Sequence, residues 1–110
     1  MKVNKELLKG TTGTLILTLL TEKPMYGYEL VKELEARSGG VFSLKEGTLY
    51  PLLHMMESER LVEASWLEAE GRKRKYYHIT DAGRGHLKEK KAEWVFFRKA
   101  LDQVLGEGHA

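Results

Sequence analysis

Four consecutive cations, Arg72-Lys73-Arg74-Lys75, run straight into Tyr76-Tyr77-His78. Cations followed by hydrogen-bonding rings suit a phosphate backbone, because Lys and Arg displace its counterions and tyrosine hydroxyls bond phosphate oxygens. A second polar group lies upstream, where Thr48, Tyr50 and His54 lie close together. Other chemistries find less support. There is no cysteine, which excludes a disulfide scaffold, a Cys-ligated zinc site and a thiol nucleophile. His54, His78, His86 and His109 are scattered with no i, i+4 pair, so no metal site is expected. No Ser-His-Asp set, glycine-rich phosphate loop or close carboxylate pair is recognisable, and Glu68 and Glu70 flank a turn and read as solvated. With only 110 residues there is little room for a multi-part catalytic pocket. The expectation is a binding module with no cofactor, not an enzyme.

These side chains need elements to hold them. Positions 8, 15, 16 and 19 mark one face of a first helix over about 4–21, weakened by Gly10 and Gly13 and ended by Pro24. A second helix runs over about 27–38, with Leu30, Val31 and Leu34 inward and Ser38-Gly39-Gly40 as its stop. A third begins between 43 and 48. Ser43-Leu44-Lys45-Glu46 reads as a capping box, but Pro51 favours a later start with Thr48 as cap, or an irregular first turn. Leu49, Leu52, Leu53 and Met56 form its inner stripe, leaving Gly47, Tyr50, Pro51, His54 and Ser58 outside. Strands follow over 61–67 and 74–80, joined by a polar loop at 68–73. A last helix over 81–105 places Leu87, Trp94, Phe97, Leu101 and Val104 at a and d spacing, with Lys90 as a flaw, and Val95, Phe96 and Leu105 beside that seam.

The fold class is therefore mainly α with a small β-hairpin: a winged helix-turn-helix over 1–80, and a long C-terminal dimerisation helix over 81–110, as one compact unit. So long a terminal helix has little of its own chain to pack on, which calls for a second copy through Leu87, Trp94, Phe97, Leu101, Val104 and Leu105. The hydrophobic fraction of 42% permits a modest core, and no apolar run reaches the roughly 20 residues of a membrane span. A cytoplasmic protein without membrane contact is expected. The net charge of +2 identifies no partner by itself, yet residues 72–75 alone carry +4, leaving the remainder at −2. Alternation along a strand lets about two of those four cations reach phosphates together. If each subunit neutralises about four phosphates, a dimer covers about eight, and affinity should fall about 10³- to 10⁵-fold between about 50 and 200 mM salt.

Three blocks carry a resemblance. Pro24-Met25-Tyr26-Gly27-Tyr28-Glu29-Leu30 resembles the P-x-Y-G-Y-E-L signature of PadR-type transcriptional regulators. Gly47-Thr48-Leu49-Tyr50-Pro51-Leu52-Leu53, followed by Glu57, is similar to their recognition-helix block. Gly71 through Thr80, followed by Gly83, is similar to their wing. The resemblance implies a homodimeric repressor on an inverted repeat of double-stranded DNA. It also implies, for some members, a planar aromatic effector at the dimer interface against a tryptophan of the last helix. Trp94 occupies that place, with Val95 and Phe97 as candidate neighbours.

The expected DNA-contact set is Tyr26, Lys45, Thr48, Tyr50, His54, Arg72, Lys73, Arg74, Lys75 and Tyr76. Tyr28 and Tyr77 are read as core or support. Two other readings stay open: a winged helix serving protein–protein contact only, and a protein whose main business is a small ligand.

Overall fold

A computed structural model describes residues 3–106. The elements are α1 (Lys5–Leu8), α2 (Thr12–Leu20), β1 (Met25–Tyr26), α3 (Gly27–Arg37), α4 (Glu46–Ser58), β2 (Val62–Ala69), β3 (Arg72–Ile79) and α5 (Asp81–Leu105). His109 lies outside the described residues.

The expected first helix is two pieces. Gly10 takes φ +84°, a left-handed conformation that breaks the chain between α1 and α2. Gly13, by contrast, stays helical in α2. The helices α2, α3 and α4 enclose a core of Ile16, Leu17, Leu20, Leu30, Leu34, Leu49, Leu53 and Met56, closed by Met25, Val62, Tyr77 and Ile79 from the sheet. Beyond α3, Gly39 and Gly40 both adopt positive φ, as the expected stop requires. Arg37 ties the end of α3 to Glu33 at 2.9 Å and to Glu22 through Nη2 at 2.7 Å, and this pairing holds the Glu22 carboxyl below its ordinary pKa.

The start of α4 falls within the expected 43–48 but corrects both expected caps. Its N-cap is Lys45, with no side-chain capping bond. Ser43 bonds Glu35 instead, at 3.4 Å, and Thr48 is the third helical residue rather than the cap. Pro51 therefore sits past the first turn, where its ring denies the Gly47 carbonyl its usual donor. The cost is limited because Gly47 is exposed, and water can take that carbonyl.

The wing is more regular than expected. The loop shrinks to Glu70-Gly71, whose φ values of +53° and +75° are both positive, as a type I′ hairpin turn demands. β2 and β3 pair antiparallel from Val62↔Ile79 to Ala69↔Arg72, so Arg72 and Lys73 lie in a strand, not a loop. A strand the sequence reading lacked, β1, joins the other edge through Met25↔Tyr77 and Tyr26↔Tyr76, giving the order β1-β3-β2.

Thr80 caps α5, its Oγ1 accepting from the Gly83 N–H at 2.9 Å while donating to the Arg60 carbonyl at 2.6 Å. Gly83 packs so closely on the Leu61 carbonyl that no Cβ fits between them. Four residues on, Leu87 is 4% exposed within the chain's own core. This corrects its place in the dimerisation set, since a side chain already enclosed has no surface left for a second copy. Beyond Lys90 the described helix is exposed apart from Asp102, and it extends a molecule measuring 55 × 32 × 21 Å.

Candidate nucleic-acid interface

The outer face of α4 and the wing enclose a groove of about 330 Å³, lined by Tyr26, Gly27, Tyr28, Tyr50, His54, Trp66, Lys73, Arg74, Lys75 and Tyr77. It opens where β1 stops. Only Tyr76 and Tyr77 of β3 pair with β1, so the edge of residues 73–75 is free to border it.

Local structure explains each position. Leu49, Leu53 and Met56 bury one side of α4, which turns Gly47, Pro51, His54 and Ser58 outward. Tyr50 lies on the flank toward the wing. Its hydroxyl reaches over the first residue of α3, where a Cβ on Gly27 would stand 2.5 Å from the oxygen. Burial pushes the Tyr50 phenol above its ordinary pKa, and the charge of Glu46 adds to that. No side chain caps the N-terminus of α3, and its first residues, Gly27 and Tyr28, line the same groove.

The wing cations are not equivalent. Arg74 lies over the Tyr26 ring at 4.5 Å, and Tyr26 meets Tyr76 edge-on at 5.4 Å. Lys75 points to the other face, 3.6 Å from Glu57 and over the Tyr77 ring at 5.4 Å. Lys73 stands opposite Glu68, and Arg72 opposite Ala69, near the exposed tip. Lys75 is thus partly neutralised within the chain, whereas Arg74 is held without an acidic partner among the described residues.

The groove gathers Tyr26, Tyr50, His54, Lys73, Arg74 and Lys75 from the expected set, with Tyr76 braced behind Tyr26. It does not gather Arg72, Thr48 or Lys45. Thr48 is roughly 160° around the helix from Tyr50, at the standard 100° per residue. It borders a hollow of about 360 Å³ between α2, α4 and α5. Lys45 lines a neighbouring hollow with Thr12, Leu44 and Thr48.

Three groove residues were missed as such. Tyr28, read as core or support, is 51% exposed with the Lys32 ammonium over its ring at 5.4 Å. Trp66, 67% exposed, stands across from Lys75, where alternation along β2 could have placed it. Gly27 was visible only as a motif letter. Tyr77 is buried as expected, and its hydroxyl has no hydrogen-bond partner among the described residues.

The second candidate patch lies on the distal half of α5. Trp94 and Phe97 meet edge-on at 5.9 Å, and Leu101, Val104 and Leu105 continue their stripe, all exposed. Val95 does not line that space with Phe97, because two residues apart on a helix means nearly opposite sides. Phe96, 77% exposed, likewise lies about a third of a turn off the stripe. Among the described residues no group of three or more His, Asp or Glu could hold a metal ion, and no helix is long and apolar enough to cross a membrane.

Comparison with known proteins fits this arrangement. The family model described as the transcriptional regulator PadR-like family matches residues 16–89. A transcriptional regulator of Mycobacterium tuberculosis is 34% identical over 92 residues, covering 84% of this chain and 77% of its own. A PadR family transcription regulator from Clostridium difficile superposes with a TM-score of 0.77 at 40% identity, covering 87% of this chain and 99% of its own. A PadR-like regulator from Bacillus cereus gives 0.81 at 36% identity, covering 94% and 99%. The matched stretch runs from α2 through the groove and into α5, and the chain accordingly belongs to the PadR-like family of transcriptional regulators, not to an enzyme family.

Proposed function

We propose that the protein is a homodimeric repressor that binds an inverted-repeat operator in double-stranded DNA and works in the cytoplasm. The observation that carries this reading is the groove, where exposed rings of α3 and α4 meet the cationic edge of the wing. The outer face of α4 enters the major groove, its small residues allowing close approach, and Arg74 takes a backbone phosphate. A two-fold axis through the distal half of α5 sets two copies of α4 about 34–36 Å apart, one turn of DNA. A planar aromatic effector stacked on Trp94 at that axis would act by favouring one dimer geometry, since equal affinity for both shifts nothing.

A gel shift with the promoter DNA of the protein's own operon tests this. With about eight phosphates neutralised per dimer, affinity falls about 10³- to 10⁵-fold between about 50 and 200 mM salt. No binding at the lower salt would sink the reading and favour a winged helix used for protein contact alone.

A further inference from the structure

Tyr26 belongs to two elements at once. It is the N-cap of α3, with extended backbone at φ −90° and ψ 167°, and it pairs with Tyr76 in the sheet. Its side chain makes no capping hydrogen bond. The ring is engaged otherwise: Tyr76 meets it edge-on at 76°, and the Arg74 guanidinium carbon lies 4.5 Å from its centroid. Arg74 and Tyr76 are two residues apart in β3 and so share a face. The three side chains form one stack, with Tyr76 bracing Tyr26 and Tyr26 supporting Arg74. Of the other wing cations only Lys75 meets a ring, that of Tyr77 at 5.4 Å, and it also pairs with an acid. Arg72 and Lys73 are exposed, and Lys75 is drawn to Glu57.

Resting on the DNA-binding reading above, we propose that Tyr26 is a positioning residue for Arg74. The ring attracts the flat face of the guanidinium and leaves its N–H edges free, so Arg74 meets a DNA phosphate already aimed. Less side-chain freedom is then lost on binding. In this role the Tyr26 hydroxyl touches nothing on the DNA. The stack also joins the N-terminus of α3 to the wing, so the two halves of the groove keep one spacing.

The test is a double-mutant cycle on the promoter duplex that the wild-type dimer binds. Tyr26→Phe keeps the ring and should bind within about twofold of wild type, while Tyr26→Leu should weaken binding about threefold to tenfold. In an Arg74→Ala background, Tyr26→Leu should add nothing, because the residue it acts through is gone. Additive losses, or a Tyr26→Phe loss as large as that of Tyr26→Leu, would overturn the proposal. Arg74→Lys leaves the fold of Tyr26 untouched and keeps the charge. It should weaken binding about threefold or more with an unchanged salt slope. Wild-type affinity in that variant would equally refute the role. If wild type itself binds no promoter duplex, the DNA reading falls and this role with it; a wild type that binds while the cycle is additive defeats the positioning role alone.

Discussion

Two glycines show how differently one missing Cβ can matter. At Gly83 the neighbour is the Leu61 carbonyl, a backbone group pinned by the Thr80 N–H at 3.1 Å. Gly83→Ala must push α5 off the sheet, and a loss of about 2–4 kcal/mol is expected by thermal or urea unfolding. At Gly27 the neighbour is the far end of Tyr50. That ring can swing away, so Gly27→Ala should change stability by less than about 1 kcal/mol. DNA affinity should nevertheless fall, because the displaced ring is driven into the groove. A variant that unfolded early, or bound as wild type does, would show that Tyr50 is not placed by this contact. Both glycines were legible as letters in motifs, in Tyr26-Gly27-Tyr28 and in the spacing from Thr80 to Gly83. Their physical reason was not, because each meets a residue more than twenty positions away. Of the two roles expected for Tyr28, core or support, its exposure removes the first for a related cause. Its position beside the inner stripe of α3 suggested burial, but α3 begins at Gly27, and its first turn fronts the groove instead of the core.

Among the elements, the longest-range pattern was the easiest to read and the shortest pairing the hardest. The 25-residue α5 was placed at its observed limits, since its apolar spacing spans many turns. A two-residue strand has no periodicity, so β1 was invisible until β3 supplied its partner. The wing loop was overestimated because Glu68-Ala69-Glu70-Gly71-Arg72-Lys73 is mostly polar, and polarity marks solvent, not the end of a strand. The turn it hides is under mild strain. Glu70 holds φ +53°, where glutamate is disfavoured and asparagine is at home. Glu70→Asn should raise stability by about 0.5–1 kcal/mol, seen as a higher melting temperature. It also removes one negative charge near Arg72, so salt-dependent DNA binding should tighten slightly. A lower melting temperature would mean that the Glu70 side chain supports the hairpin in some way its backbone angles do not reveal.

On the scale of the whole molecule, the chain is two-ended, with a cationic groove and wing at one end and an apolar helix at the other. Trp94, Phe97, Leu101, Val104 and Leu105 are all exposed on one stripe, more apolar surface than a monomer keeps in water without cause. The sequence found this stripe but extended it one member too far, because heptad spacing alone cannot tell Leu87, enclosed by its own chain, from residues that await another. Dimerisation through the stripe predicts that Leu101→Glu sediments as a monomer, while Arg74→Ala remains a dimer. If Leu101→Glu stayed dimeric, the two-fold axis would lie elsewhere. The two ends can also be watched separately, because each carries one of the two tryptophans. Trp66 lines the groove and Trp94 the stripe. In a Trp94→Phe protein, operator DNA should change the remaining fluorescence and a planar aromatic compound should not quench it strongly. In a Trp66→Phe protein the compound should quench directly and DNA should act weakly, through the dimer geometry alone. The coupling between the two ligands must be reciprocal, so a compound that weakens DNA binding tenfold must itself bind DNA-loaded dimer tenfold more weakly, a coupling of about 1.4 kcal/mol. Equal quenching of both single-tryptophan proteins by the compound would place its site away from the α5 stripe and remove Trp94 as its platform.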